Sequence, residues 1–168
     1  DALAFEEMAK SKNTKKRDIY HAALQSLRGL AGSLTPVHLP SSSAYSGLAG
    51  LTIAVEAAMN FNELVESGHI RELVQQDAGS WPNTFRRGSL VPGSDYLRAQ
   101  QLRSQLMRAM HDAMREVDLY ITIPYSGPTL SFTNLTGHPT LISRCGLLNG
   151  RPVMIELLGQ LYREDALL

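Results

Sequence analysis

Apolar positions recur with different periods along this chain, and each change of period predicts an element. Ile19, Ala23, Leu27 and Leu30 or Ala31 follow helical spacing from Asp18 onward, and Gly32 supplies a stop. Leu34 to Pro40 reads as a short extended stretch whose prolines suit a sheet edge or a strand end. A second helix is expected from about Gly50 to Gly68, with Val55, Ala58, Met59 and Val65 on one face. Residues 77 to 94 hold Gly79, Pro82, Gly88, Pro92 and Gly93 and are predicted to be mostly loop. Asp95 is placed as the N-cap of the longest helix, from about Tyr96 to Val117. Along it Leu102, Leu106, Met110 and Met114 step by four.

The last third changes period again. Asp118 to Pro124 reads as a buried strand stopped by a proline, and Thr140–Ser143 and Val153–Leu158 as two more, with Asn149-Gly150 between them as a tight-turn signal. Arg163 to Leu168 has the composition of a helix start. Helices alternating with buried strands place the chain in the α/β class, as part of a mixed β-sheet flanked by helices. About four strands cannot close such a sheet, so its edges are expected to need further chain or to self-associate.

Composition narrows the picture. The 168 residues fit one domain with a substantial core, and 43% hydrophobic against 19% charged residues argues against disorder. Lys plus Arg equals Asp plus Glu, at 16 each, so no global charge points to nucleic acid or a membrane surface. Residues 1–17 are expected as a polar lead-in or linker, ahead of a unit spanning residues 18–168. Cys145 is the single cysteine, which excludes an internal disulfide and leans towards a cytoplasmic setting. It ends an apolar strand and reads as a buried structural thiol. His138, between Gly137 and Pro139, reads as a loop hydrogen-bonding residue, while His21, His38, His69 and His111 show no ligand spacing, so no metal site is expected, and no cofactor either. Trp81, Arg86 and Arg87 read as a packed ring and solvated charges. Asn134-Leu135-Thr136 matches a glycosylation sequon, taken as coincidental. With Asp1 where an initiator Met would stand, the chain is expected to start inside a longer protein.

The run Thr133-Asn134-Leu135-Thr136-Gly137-His138-Pro139-Thr140-Leu141 resembles the amidase-signature family. So do Cys145-Gly146, then Asn149-Gly150-Arg151-Pro152-Val153, Leu158-Gly159, Glu164 and Leu167-Leu168, in that order. Val55-Glu56-Ala57-Ala58, Trp81 to Arg86, Asp95-Tyr96-Leu97 and Asp118 to Pro124 resemble preceding segments of the same family. The likeness covers nearly all of the chain beyond the first fifteen or so residues, and implies the C-terminal part of an amidase fold.

That resemblance also implies chemistry held elsewhere. The family's nucleophilic Ser, a second Ser on a cis peptide and a Lys base belong to segments expected upstream of this chain, and together they form an acyl-enzyme. Here Ser41-Ser42-Ser43 follows Leu39-Pro40 without glycines, and the lysines are Lys10, Lys12, Lys15 and Lys16 alone. No catalytic residue is therefore expected in the chain. By resemblance, the loop Tyr125 to Asn134 borders the substrate cleft, with Tyr125, Phe132, Thr133 and Asn134 as candidate pocket residues. The implied partners are the remainder of the amidase domain and a small-molecule amide. Two rivals stand beside this reading: part of the amidase subunit of a glutamine-dependent tRNA amidotransferase, and a non-catalytic binding module on the same scaffold.

Overall fold

The computed structural model describes all residues, 1–168. By contacts the chain divides into two compact units, residues 43–105 and the two flanking segments together.

In the flanking unit, residues 1–9 of the expected polar lead-in are not a linker. Ala2–Ala9 form helix α1, capped by the Asp1 carboxylate, which accepts from the Ala4 N–H. Its Phe5 and Met8 lie against a small core of Tyr20, Ile123 and Val153. The polar stretch that follows is short. Helix α2 runs Thr14–Leu30 and starts four residues before the expected Asp18, because Asn13 caps it through the Lys16 N–H at 3.0 Å. Residues 34–40 form no helix and belong to no sheet; Val37 is buried and its carbonyl accepts from the Ala2 N–H at 3.0 Å.

Three strands form one antiparallel sheet in the order β1-β3-β2: β1 Leu119–Thr122, β2 Thr140–Leu148 and β3 Arg151–Gly159. Two of these are longer than expected and the fourth strand is absent, since Leu34–Pro40 pairs with nothing in the sheet. Asn149 and Gly150 both take positive φ, 52° and 76°, and make the β2–β3 turn. The register sets Tyr120 against Leu158 and Thr122 against Glu156. A bulge at Cys145 shifts the β2 register between Arg144 and Gly146. Gly146 is required there, because a Cβ would stand 2.5 Å from Ile19 of α2.

The pairing also fixes which backbone groups face outward. The Gly159 N–H donates to the Pro139 carbonyl, so odd-numbered β3 residues bond towards β2 and even-numbered ones towards β1. On β1, Tyr120 and Thr122 therefore bond to β3, while Leu119 and Ile121 turn their N–H and C=O groups to the outer edge. The Ile121 carbonyl accepts from the Asp1 nitrogen at 2.6 Å. The other outward groups have no partner within the chain. They face a groove of about 1060 Å³ lined by α1, the C-terminal end of α2, residues 31–38 and β1.

The central unit is helical. Residues 50–68, expected as one helix, form α3 (Leu48–Asn60) and α4 (Asn62–Glu66), broken at Phe61, whose ring stacks on Phe85 at 4.8 Å. The predicted loop over 77–94 contains α5, Trp81–Gly88. Pro82 lies in its first turn, where a missing N–H costs nothing. Gly88 reflects close packing on α3, since a Cβ would fall 2.0 Å from the Ala54 carbonyl oxygen. The longest helix, α6, spans Gly93–Met114 and starts ahead of Asp95. Asp95 sits in its first turn and pairs with Arg98 at 3.3 Å instead of capping, a placement the helix dipole favours equally. The C-terminal part of α6, from Leu106 on, belongs to the flanking unit, where Leu106, Met110 and Met114 of the stepped apolar stripe are fully buried.

Candidate functional site

The segment between β1 and β2 carries the four candidate pocket residues, and its second half is a helix, not a loop. Helix α7 runs Thr129–Thr136 and stops at Gly137, whose φ of 84° brings its N–H onto the Thr133 carbonyl at 2.7 Å. One face, made of Thr129, Phe132, Thr133, Leu135 and Thr136, is buried; Leu130, Ser131 and Asn134 face solvent. This split follows from about 100° of rotation per residue and divides the candidates.

Phe132 and Thr133 point into the unit. The Thr133 hydroxyl donates back to the Thr129 carbonyl at 3.0 Å, so its polar atom is spent inside the helix. Asn134 is on the exposed face. Tyr125 is 85% exposed and takes a φ of 62°, a left-handed conformation uncommon for a bulky residue. It precedes Gly127 and Pro128 in a tight turn that directs its ring out of the fold. The structure therefore brings Tyr125 and Asn134 to the surface and keeps Phe132 and Thr133 beneath it. Leu130, half exposed beside them, escaped sequence reasoning. The signal was present in Thr129, Phe132, Thr133 and Thr136, which repeat at helical intervals once threonine is counted with the buried set.

Hydroxyls fasten α7 to the sheet. The Tyr120 phenol and the Thr129 hydroxyl bond at 2.9 Å in a fully buried setting. Burial, offset in part by that bond, pushes the Tyr120 pKa up to about 12. Glu156 lies on the same sheet face, 5% exposed, and burial raises its carboxyl above the ordinary range. At the far end Thr136 donates to the Phe132 carbonyl at 2.7 Å and meets His138 Nδ1 at 2.7 Å. The sequon match thus lies in a helical turn that exposes Asn134 and buries Leu135 and Thr136.

The other sequence candidates are accounted for individually. Cys145 is half-buried at the β-bulge, donates to the Val153 carbonyl at 3.4 Å, and has its thiol pKa raised by burial. Ser42 opens a short 3-10 turn. Lys10, Lys12 and Lys15 are exposed, and Lys16 sits 5.9 Å over the Tyr20 ring. Arg86 and Arg87 both bond Asn83, and Trp81, 58% exposed, tilts against Phe85. No group of three or more His, Cys, Asp or Glu side chains is gathered to hold a metal. No helix is long and apolar enough to cross a membrane.

Comparison with known proteins adds an independent line. No family model matches the chain. The A-subunit of glutamyl-tRNA(Gln) amidotransferase from Chloroflexus aggregans is 34% identical over 94 residues, covering 44% of this chain and 19% of that protein. Its counterpart from Roseiflexus castenholzii is 31% identical over the same length. Among solved structures, an amidase superposes with a TM-score of 0.67 at 22% identity, covering 91% of this chain and 39% of its own. A bacterial aryl acylamidase of the amidase-signature family superposes with a TM-score of 0.64 at 16% identity, covering 92% and 38%. The chain thus spans about a fifth of the curated relatives it matches and under two-fifths of these solved structures.

Proposed function

We propose that this chain, a C-terminal portion of the amidase-signature fold, is a supporting wall of an enzyme that hydrolyses the C–N bond of a small carboxamide. In this reading the Ser-Ser-Lys triad lies in polypeptide outside the chain. There a serine oxygen attacks the carbonyl, the amine departs with a proton, and water releases the acid from the acyl-enzyme. Within the chain, a lysine base would need desolvation to titrate near neutral pH, and none of the four lysines is buried. The free Cys145 thiol accords with a cytoplasmic setting.

The observation that carries this reading is the likeness to the amidase fold over 91% of the chain, matched by only 39% of the neighbour. The outer edge of β1 supports it, because its outward N–H and C=O groups face a groove with room for an extended segment. We assign that groove to the remainder of the amidase domain. Tyr125 and Asn134, the two exposed candidates, would then border the substrate, while Phe132 and Thr133 hold α7 in place. A fluorophosphonate and a panel of amides test the reading. The purified chain should neither label nor turn over amide, and the longer protein should label at a serine outside residues 1–168. Labelling at a serine of this chain would overturn it.

A second reading has its own support, since both curated relatives are amidotransferase subunits. In it the whole protein would release ammonia from glutamine for a tRNA-linked reaction. Glutamine-dependent amidation of charged tRNA by the longer protein with its partner subunits would favour this reading; hydrolysis of amides without them favours the first.

A further inference from the structure

Two backbone nitrogens at the start of the chain point in opposite directions, and each meets a different wall of the large groove. The Asp1 nitrogen donates to the Ile121 carbonyl of β1 at 2.6 Å. The next residue, Ala2, donates its N–H to the Val37 carbonyl on the facing wall at 3.0 Å. Successive N–H groups bonded to opposite neighbours are what a strand shows when it has a partner on each side. Helix α1 begins at Ala2, so only the last step of that pattern lies within the chain. Where polypeptide precedes Asp1, its nitrogen is a peptide N–H and the same bond belongs to a ladder.

Side chains and a proline agree with this pattern. The Thr122 hydroxyl donates to the Asp1 carboxylate at 3.2 Å, which sets the two residues side by side. In a parallel ladder, a residue's N–H bonds the carbonyl one place before its lateral neighbour. An Asp1 beside Thr122 then bonds Ile121, as observed. On the facing wall Val37 turns its carbonyl to the groove. An extended backbone there turns Thr35 the same way and Pro36 outward, where a missing N–H is tolerated on an edge strand. Between the walls, the groove is lined by Phe5 of α1 and by Leu24 and Leu27 of α2.

We propose that the polypeptide directly preceding Asp1 is a strand, laid parallel to β1 between it and residues 34–38. This rests on the reading of the chain as part of a longer domain, and it names the segment that fills the groove. The sheet order becomes residues 34–38, the added strand, β1, β3, β2, with α1 and α2 as the crossover that parallel neighbours need. Leu34–Pro40 pairs with nothing in this chain because its neighbour lies upstream of Asp1. A strand with partners on both sides is central. The four or so residues before Asp1, matching the length of β1, therefore form an apolar run rich in Val, Ile or Leu and free of proline.

Amide exchange tests this on the chain extended by about eight of its native preceding residues, beside the chain alone and a Gly-Ser extension of equal length. With the native extension, Thr35, Val37, Leu119 and Ile121 should exchange roughly a hundredfold more slowly, while His38, which faces outward, keeps its rate. The Gly-Ser extension should protect none of them. A proline or a charged run in the native residues, unchanged rates at the four amides, or protection of His38 in place of Val37 would each overturn the proposal. If the extended chain aggregates, the longer protein decides. Proline placed two positions before Asp1 should there free Thr35 and Leu119 to exchange, and retained protection would overturn the proposal. The outcomes separate from those of the amidase reading. A serine label on the longer protein without this protection removes the strand alone, and protection without a label removes only the amidase chemistry.

Discussion

Strands β1 and β2 flank the same central strand, yet the two sheet edges they form differ in almost every respect. The β2 edge is nine residues long, mostly exposed, interrupted by a bulge, and carries Arg144 in solvent just before it. Those are the devices by which natural sheets discourage further pairing. The β1 edge is four residues long, with three of them buried, and has neither bulge, charge nor proline within it. Its outward backbone groups face a groove with apolar walls from Leu24, Leu27 and Leu34. One edge is finished as an outer surface, while the other we propose to be an internal seam. Exposed apolar side chains alone would have misled here, since Ile142 and Leu147 of the finished edge are the more exposed.

The contrast can be broken most strongly with proline. Tyr120→Pro removes a ladder N–H and a buried ring, and should cost about 3 kcal/mol or more in chemical denaturation. Leu119→Pro removes only an outward N–H and should cost within about 1 kcal/mol in this chain. Equal losses would mean that the bonding directions along β1 are wrongly assigned. Next in size is Tyr120→Phe, which leaves the buried Thr129 hydroxyl short of a partner and should cost about 1–2 kcal/mol.

Glu156, opposite Thr122 of the seam strand, gives a pH signature. Its folded pKa is raised above the ordinary 4.5 by burial, so the fold favours the protonated carboxyl. Its contribution to stability is complete below the unfolded pKa and is lost as pH rises through the folded one. Glu156→Gln should remove that decline from a pH series of denaturation curves, and a decline of unchanged size would assign it to another group. The smallest effect on stability is expected from Arg144→Val, within about 0.5 kcal/mol for an exposed strand position. Light scattering should instead reveal concentration-dependent association of that variant, as the finished edge loses its guard.

Much of this fold was legible in the sequence, for identifiable reasons. The Asn149-Gly150 turn has one low-energy solution, and the stripe of Leu106, Met110 and Met114 has one buried face. Helix α7 was hidden because its buried face is built largely from threonines, which read as loop polarity beside Gly127 and Pro128. Helix α5 was hidden by Pro82, a breaker everywhere except in the first turn. The divided fate of Tyr125, Phe132, Thr133 and Asn134 follows from missing α7, since a loop carries no rule about which side chain turns inward.

Amide hydrogen exchange at β1 tests the central claim most directly. In this chain alone, Tyr120 and Thr122 should be protected while Leu119 and Ile121 exchange freely, and in the longer protein all four should be protected. Protection of Leu119 and Ile121 in the isolated chain, or their free exchange in the longer protein, would contradict the assignment of this edge to the remainder of an amidase domain.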